Sequence, residues 1–242
     1  MIDSILLTSA RILSFNGQRS LTNASGFYFQ RDERLFLVTS RHVMFDGPSK
    51  HSPDRLEIEV HTSGGDMGKS IGFSLPLYRQ GKSLWRQGKD GGGEIDIAAI
   101  ELSREAMPVG GAFIAFTPAH LHRSAEPIQI GSSLLIVGFP LGFHDTLHHL
   151  PVVRQAVIAS AFGLRFQGQG YFLTDARTHR GTSGAPVVMH DGDAAPDTAL
   201  PWKLLGVHSA RMDMKDRDRV HDESLGLNCA WYADMLMKLT DA

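Results

Sequence analysis

The sequence predicts an all-β fold of two adjacent antiparallel six-stranded β-barrels with a short C-terminal helix. Three observations predict it. Twenty-five glycines and 11 prolines among 242 residues supply turn chemistry for many short strands. Apolar runs of strand length recur along the chain, and none approaches the roughly 18 residues expected of a membrane-spanning helix. Hydrophobic residues make up 42%, enough for a sizeable core, without the repeat period or heptad pattern of a solenoid or coiled coil.

Six runs build the first barrel, spanning 1–118: Ile5 to Phe15, Gly26 to Gln30, Leu35 to Thr39, Leu56 to His61, Ile71 to Tyr78 and Ile95 to Leu102. Gln30-Arg-Asp-Glu-Arg34 reads as a hairpin loop, and Gly47-Pro48 and Gly64-Gly65 punctuate later connections. A polar, helix-tolerant stretch from Thr117 to Glu126 carries the boundary. The second barrel, 119–242, takes Ile128 to Gly138, Val152 to Ser160, Tyr171 to Thr174, Pro186 to Met189, Leu204 to Ser209 and Leu225 to Ala230. Trp231, Met235 and Leu239 recur at i, i+4 and i+8, the apolar stripe of a terminal helix. Gly91-Gly-Gly93 and the alternating charges of Lys215 to Arg219 read as solvated loops.

Twenty-four basic and 26 acidic residues leave a net charge of −2, with no basic excess to grip phosphates, so nucleic acid is not an expected partner. No membrane association is expected either. The single cysteine, Cys229, forms no internal disulfide, which suits a reducing compartment. Met1-Ile-Asp-Ser has an acid where a secretion signal carries Lys or Arg. The expected address is cytoplasmic.

The most informative window is Thr178-His-Arg-Gly-Thr-Ser-Gly-Ala-Pro. Gly184 permits a tight turn that exposes the Ser183 hydroxyl, and Gly181 lets its backbone N–H sit beside that of Ser183, two donors for one oxyanion. A glycine-rich turn that merely contains serine fits the same window. A serine nucleophile needs a base, and His42 follows the apolar strand Leu35 to Thr39. The third member is an acid that holds the imidazole tautomer. Asp96 lies within Glu94-Ile-Asp-Ile-Ala-Ala-Ile100, where an unpaired carboxylate would be costly, although a structural ion pair would also explain it.

His42, Asp96 and Ser183, in that order and each at a strand edge, resemble the trypsin-like serine peptidases of the chymotrypsin fold, most closely their disulfide-free bacterial and intracellular branch. The resemblance covers nearly the whole chain. It is carried by Gly26-Phe-Tyr-Phe with Val38-Thr-Ser-Arg-His-Val, Asp96-Ile-Ala-Ala-Ile, Ile136-Val-Gly-Phe-Pro-Leu-Gly142 and Thr174-Asp-Ala with Gly181-Thr-Ser-Gly-Ala-Pro. It implies a serine endopeptidase acting on protein or peptide substrates, with the active site in the cleft between the two barrels. Ser183 is then nucleophile, His42 base, Asp96 orienter, and Gly181 and Ser183 N–H the oxyanion hole, with no metal or organic cofactor and no obligatory partner. Thr182 replaces the aspartate that pairs with a newly cut N-terminus in digestive members, so activation by trimming is not expected. Ala185 replaces a frequent glycine.

By the same resemblance Arg177 lies at the base of the specificity pocket and Gly206-Val-His-Ser-Ala-Arg211 forms its wall. Ser209 falls where a serine bonds the catalytic aspartate, and His208 where glutamyl-specific relatives carry a pocket histidine. Arg177, His208 and Arg211 would make a cationic pocket for an acidic residue before the cleaved bond. Arg177 facing solvent or pairing with Asp175 is the plainer alternative. His144, His148 and His149 could offer imidazoles to a metal, but a polar loop fits them better. A competing function is a binding module or regulatory scaffold on the same fold with little or no turnover, with esterase chemistry a third use of the triad.

Overall fold

The structure is a computed structural model that describes residues 2–122, 127–212 and 225–241. The chain runs through β1 (Ser9–Asn16), β2 (Arg19–Arg31), β3 (Arg34–Thr39), the one-turn helix α1 (Arg41–Met44), β4 (Arg55–His61) and β5 (Ser70–Pro76). A small hairpin, β6 (Tyr78–Arg79) and β7 (Lys82–Ser83), precedes β8 (Trp85–Asp90) and β9 (Gly93–Leu102). The second half holds β10 (Ser133–Gly138), β11 (Val152–Ile158), β12 (Tyr171–Asp175), β13 (Pro186–His190), β14 (Trp202–Arg211), β15 (Leu227–Tyr232) and α2 (Leu236–Leu239).

The all-β, two-unit expectation holds. β10, β11, β12, β15, β14 and β13 close in that order into a six-stranded barrel. The first unit departs from the expected six-stranded barrel: its strands form a sheet of seven, ordered β5-β4-β1-β2-β3-β9-β8, whose end strands β5 and β8 do not pair with each other. The extra member is β8, whose Trp-Arg-Gln-Gly-Lys-Asp sequence has one buried residue, Trp85, and so lacks an apolar run. Gly91-Gly-Gly93, read from sequence as a solvated loop, is the turn joining β8 to β9, and Gly93 itself opens β9.

Other boundaries move for identifiable reasons. Ser4–Leu7 is a 3₁₀ turn capped by the Asp3 carboxylate, so the first strand begins only at Ser9. Trp231 belongs to β15, and the terminal helix starts after it, preceded by a 3₁₀ turn at Ala233–Met235. Pro118–His120 is a 3₁₀ turn. The rest of the helix-tolerant stretch beyond His122, and the charged segment from Lys215 to Arg219, lie outside the described residues.

Strand alternation explains the core. On β3, Leu35 and Leu37 point into a cluster with Ile12, Leu56 and Ile100 inside the first unit. Phe36 and Val38 face the opposite way, into a second cluster with Phe27, Phe116, Val207, Trp231 and Leu236. β9 splits likewise, sending Ala98 and Ile100 one way and Ile95, Ile97 and Ala99 the other. Because both faces are buried, these strands read as near-continuous apolar runs. The second cluster draws on both units, and a third, with Ile136, Ile158, Phe172 and Leu205, fills the closed barrel. The middle cluster fastens one sheet to the other.

Candidate active site

β3 ends at Thr39, and Ser40 leads directly into α1, where buried Val43 and Met44 hold the single turn in place. Antiparallel pairing of Thr39 with Ala98 sets Asp96 just beyond the end of β3. Its carboxylate accepts the His42 backbone N–H through Oδ1 at 2.9 Å and faces His42 Nδ1 from Oδ2 at 2.7 Å. The Ser209 hydroxyl donates to the same Oδ2 at 2.5 Å. Burial pushes the Asp96 pKa up, but the His42 and Ser209 hydrogen bonds and the imidazole charge outweigh it, and the carboxyl titrates below its usual range. For His42, burial opposes the charged form; the Asp96 hydrogen bond and charge prevail and raise its pKa above 6.5.

Ser183 is presented by a loop that needs its glycines. Gly181 and Gly184 have φ of +91° and +86°, a region that favours glycine, and a Cβ at Gly184 would collide with the Ser25 carbonyl oxygen and Thr39 Oγ1. Ser25, on β2, ties the loop down from the opposite unit. Its N–H donates to the Ser183 carbonyl (2.9 Å), its hydroxyl donates to the Gly181 carbonyl (2.7 Å), and that hydroxyl accepts the Phe139 N–H (2.9 Å). The Arg180 carbonyl accepts from the Leu141 N–H at 2.5 Å. Since the peptide is planar and trans, the Gly181 N–H points the opposite way. Gly181, Ser183 and His42 line a single cleft of about 460 Å³.

The Ser183 hydroxyl donates to the Ser209 carbonyl at 2.9 Å and not to His42. Ser209 therefore touches both ends of the constellation, the acid through its side chain and the serine through its backbone.

A family model described as a trypsin-like peptidase domain matches residues 24–194. The chain belongs to the trypsin-like peptidase domain family. Among solved structures, a serine endoprotease from Yersinia pestis superposes with a TM-score of 0.56 at 14% identity, covering 97% of this chain and 62% of that one. The chain thus spans 62% of the length of the Yersinia protein. The Rv3671c protease from M. tuberculosis, in its active form, superposes with a TM-score of 0.52 at 16% identity, covering 97% of this chain and 80% of that one. At these identities the likeness speaks for the fold. No curated protein matches the sequence.

In this trypsin-like peptidase domain the residues expected to line a specificity pocket differ in burial. Arg177 and Arg211 are exposed, and no ion pair engages either among the described residues. Arg177 offers its backbone carbonyl to Arg154 Nε at 3.0 Å. His208 is buried, its pKa pushed down to about 4 by burial and by the nearby His42 charge, and its Nδ1 has no partner. It is therefore neutral at pH 7, so any positive charge in that pocket comes from the arginines alone. No hydrogen bond joins the three side chains. Thr182 is buried with its hydroxyl unpartnered, and Ala185 is buried, its N–H bonded to the Thr182 carbonyl.

The loop histidines have other engagements. His148 Nδ1 faces Asp145 at 2.7 Å, His144 Nδ1 faces the Gly142 carbonyl at 2.6 Å, and the rings of His144 and His149 stack at 6.1 Å. Sequence reasoning missed Ser25 and Leu141. Ala24-Ser25-Gly26 was legible only as a run of small residues, and its partners lie more than a hundred residues away.

Proposed function

We propose that the protein is a serine endopeptidase in which Asp96, His42 and Ser183 form the triad. One observation carries the reading: Asp96 holds both the backbone N–H and Nδ1 of His42, which fixes the Nδ1–H tautomer and leaves Nε2 free as a base at the mouth of the cleft that Ser183 shares. The Ser183 hydroxyl rotates off the Ser209 carbonyl, passes its proton to His42 Nε2 and attacks the scissile carbonyl. The Gly181 and Ser183 N–H groups receive the oxyanion. His42 then protonates the leaving amine, and water hydrolyses the acyl-enzyme by the reverse sequence.

A preference for an acidic residue before the cleaved bond is part of the same proposal. Its support is that Arg177 and Arg211 make no ion pair among the described residues, with His208 as a neutral hydrogen-bonding group. A peptide-library profile tests it; cleavage after Lys or Arg with none after Glu or Asp overturns it. A cytoplasmic setting is also proposed, supported by the lone Cys229, whose thiol burial pushes up to about 11.

The second reading, a peptide-binding scaffold with little turnover, is favoured by the Ser183 hydroxyl resting on Ser209. A fluorophosphonate probe separates the two. Wild-type protein should label at Ser183, with Ser183→Ala silent and His42→Ala greatly slowed. Folded wild type that takes no label returns the scaffold reading.

A further inference from the structure

The cleft beside Ser183 has a wall that the triad does not use. It contains none of Arg177, His208, Ser209 or Arg211, the residues assigned to the acyl side of a substrate, and instead extends from Gly181 and His42 toward the β1–β2 hairpin and the loop after α1. It is therefore where the leaving-group half of a bound chain would lie. Three exposed cations edge it: Arg19 on β2, Lys50 at the tip of the 46–51 loop, and Arg180 next to Gly181. None of the three makes an ion pair among the described residues. The cleft has one lining carboxylate, Asp46, which accepts the Ser49 N–H at 3.3 Å and whose charge also acts on His42; the three cations outnumber it.

The cations are held in place by backbone geometry. Asp46 and His51 exchange two backbone hydrogen bonds, 2.8 and 2.9 Å, which pin the loop, and Lys50 N–H bonds the Gly47 carbonyl at 3.0 Å. Arg180 is fixed through its carbonyl on Leu141. Asn23 also lines the cleft; its buried Oδ1 has no hydrogen-bond partner among the described residues, and as an acceptor it suits a donor such as a substrate backbone N–H, while the charge recognition falls to the cations. Three exposed cations along one cleft, on backbone that is pinned at Lys50 and Arg180, suit a carboxylate-bearing chain.

We propose that this wall is a leaving-group subsite that selects substrates with acidic side chains in the first three positions after the cleaved bond. The proposal rests on the peptidase reading above. It differs from the acyl-side preference in residues, in position along the substrate and in the half of the product that carries the charge.

The test uses internally quenched peptides that share one acyl half and carry Glu, Gln or Lys in the three following positions, with the cut bond mapped by mass spectrometry. The ratio of kcat/KM for Glu over Lys peptides should be about tenfold or more at low salt. It should shrink toward unity in roughly 1 M NaCl, where charges are screened within about 3 Å. In the double variant Arg19→Glu with Lys50→Glu the ratio should invert; Arg19→Gln with Lys50→Gln, which should abolish it, stands in if the reversal misfolds. Equal cleavage of Glu and Lys peptides by wild type, or a ratio indifferent to salt and to both variants, overturns the subsite alone. Absence of fluorophosphonate labelling together with no cleavage of any peptide overturns the peptidase reading and this subsite with it.

Discussion

Ser25 makes three hydrogen bonds to groups around the nucleophile, and two of its partners, the Gly181 and Ser183 carbonyls, belong to residues whose N–H groups would meet the oxyanion. Replacing it with alanine removes the two hydroxyl bonds, to the Gly181 carbonyl and from the Phe139 N–H, without adding bulk, and leaves the backbone bond to the Ser183 carbonyl. Ser25→Ala should fold, keep KM within a few-fold and lose on the order of 10²-fold in kcat, since small misplacement of donors is costly. An alanine variant with unchanged kcat would show that the loop holds its own shape. His42 sets the pH dependence. With its pKa raised above 6.5, the neutral base appears only at higher pH, so kcat/KM should rise through a single ionisation whose midpoint lies above 6.5. Asp96→Asn removes the partner that raises it. That variant should lose on the order of 10⁴ in turnover, as expected for a histidine in the wrong tautomer, and its residual activity should titrate at lower pH. The same pair couples folding to pH. Asp96, depressed in the folded state, contributes stability above its ordinary 3.8 that is lost as pH falls through its folded value. His42, raised, contributes below 6.5 and loses that contribution as pH rises through its folded value. Thermal melts across pH should therefore flatten in Asp96→Asn.

β14 is the element on which the site hangs. Its ladder with β15 shifts between His208 and Arg211, a bulge that frees Ser209 from regular pairing. That is how one residue turns its hydroxyl to Asp96 and its carbonyl to Ser183. Ser209→Ala should leave the barrel intact and raise the Asp96 pKa toward its ordinary range, visible in an NMR titration of the Asp96 carboxyl carbon; an unmoved midpoint would mean that His42 alone holds the carboxylate. The legibility of the fold follows the same elements. β3, β9 and β14 are buried on both faces and announced themselves as apolar runs, and the motifs around His42, Asp96 and Ser183 are short stretches whose residue types state their chemistry. β8 was illegible because an edge strand with one buried residue has no pattern to read. Ser25 was illegible for another reason: its meaning comes from a contact 156 residues away, and no local spacing encodes that. The bulge in β14 belongs to the same class, since it depends on register between strands.

At the scale of the whole molecule, the cluster containing Phe27, Phe116, Val207 and Trp231 joins the unit that carries His42 and Asp96 to the unit that carries Ser183. Phe116 is fully buried and meets the Phe27 ring edge-on at 5.7 Å. Phe116→Ala should cost about 3–5 kcal/mol, and activity and tryptophan fluorescence should be lost in one transition. Two well-separated transitions would show that the units unfold independently. This shared layer has a further consequence. The separation of imidazole from serine depends on the thickness of this apolar packing as well as on the hydrogen bonds that border the loop, because a close-packed interior resists compression as a solid does. Adding a single methylene there, as in Val207→Ile, touches no reacting group, yet it would widen the distance across which the proton must pass.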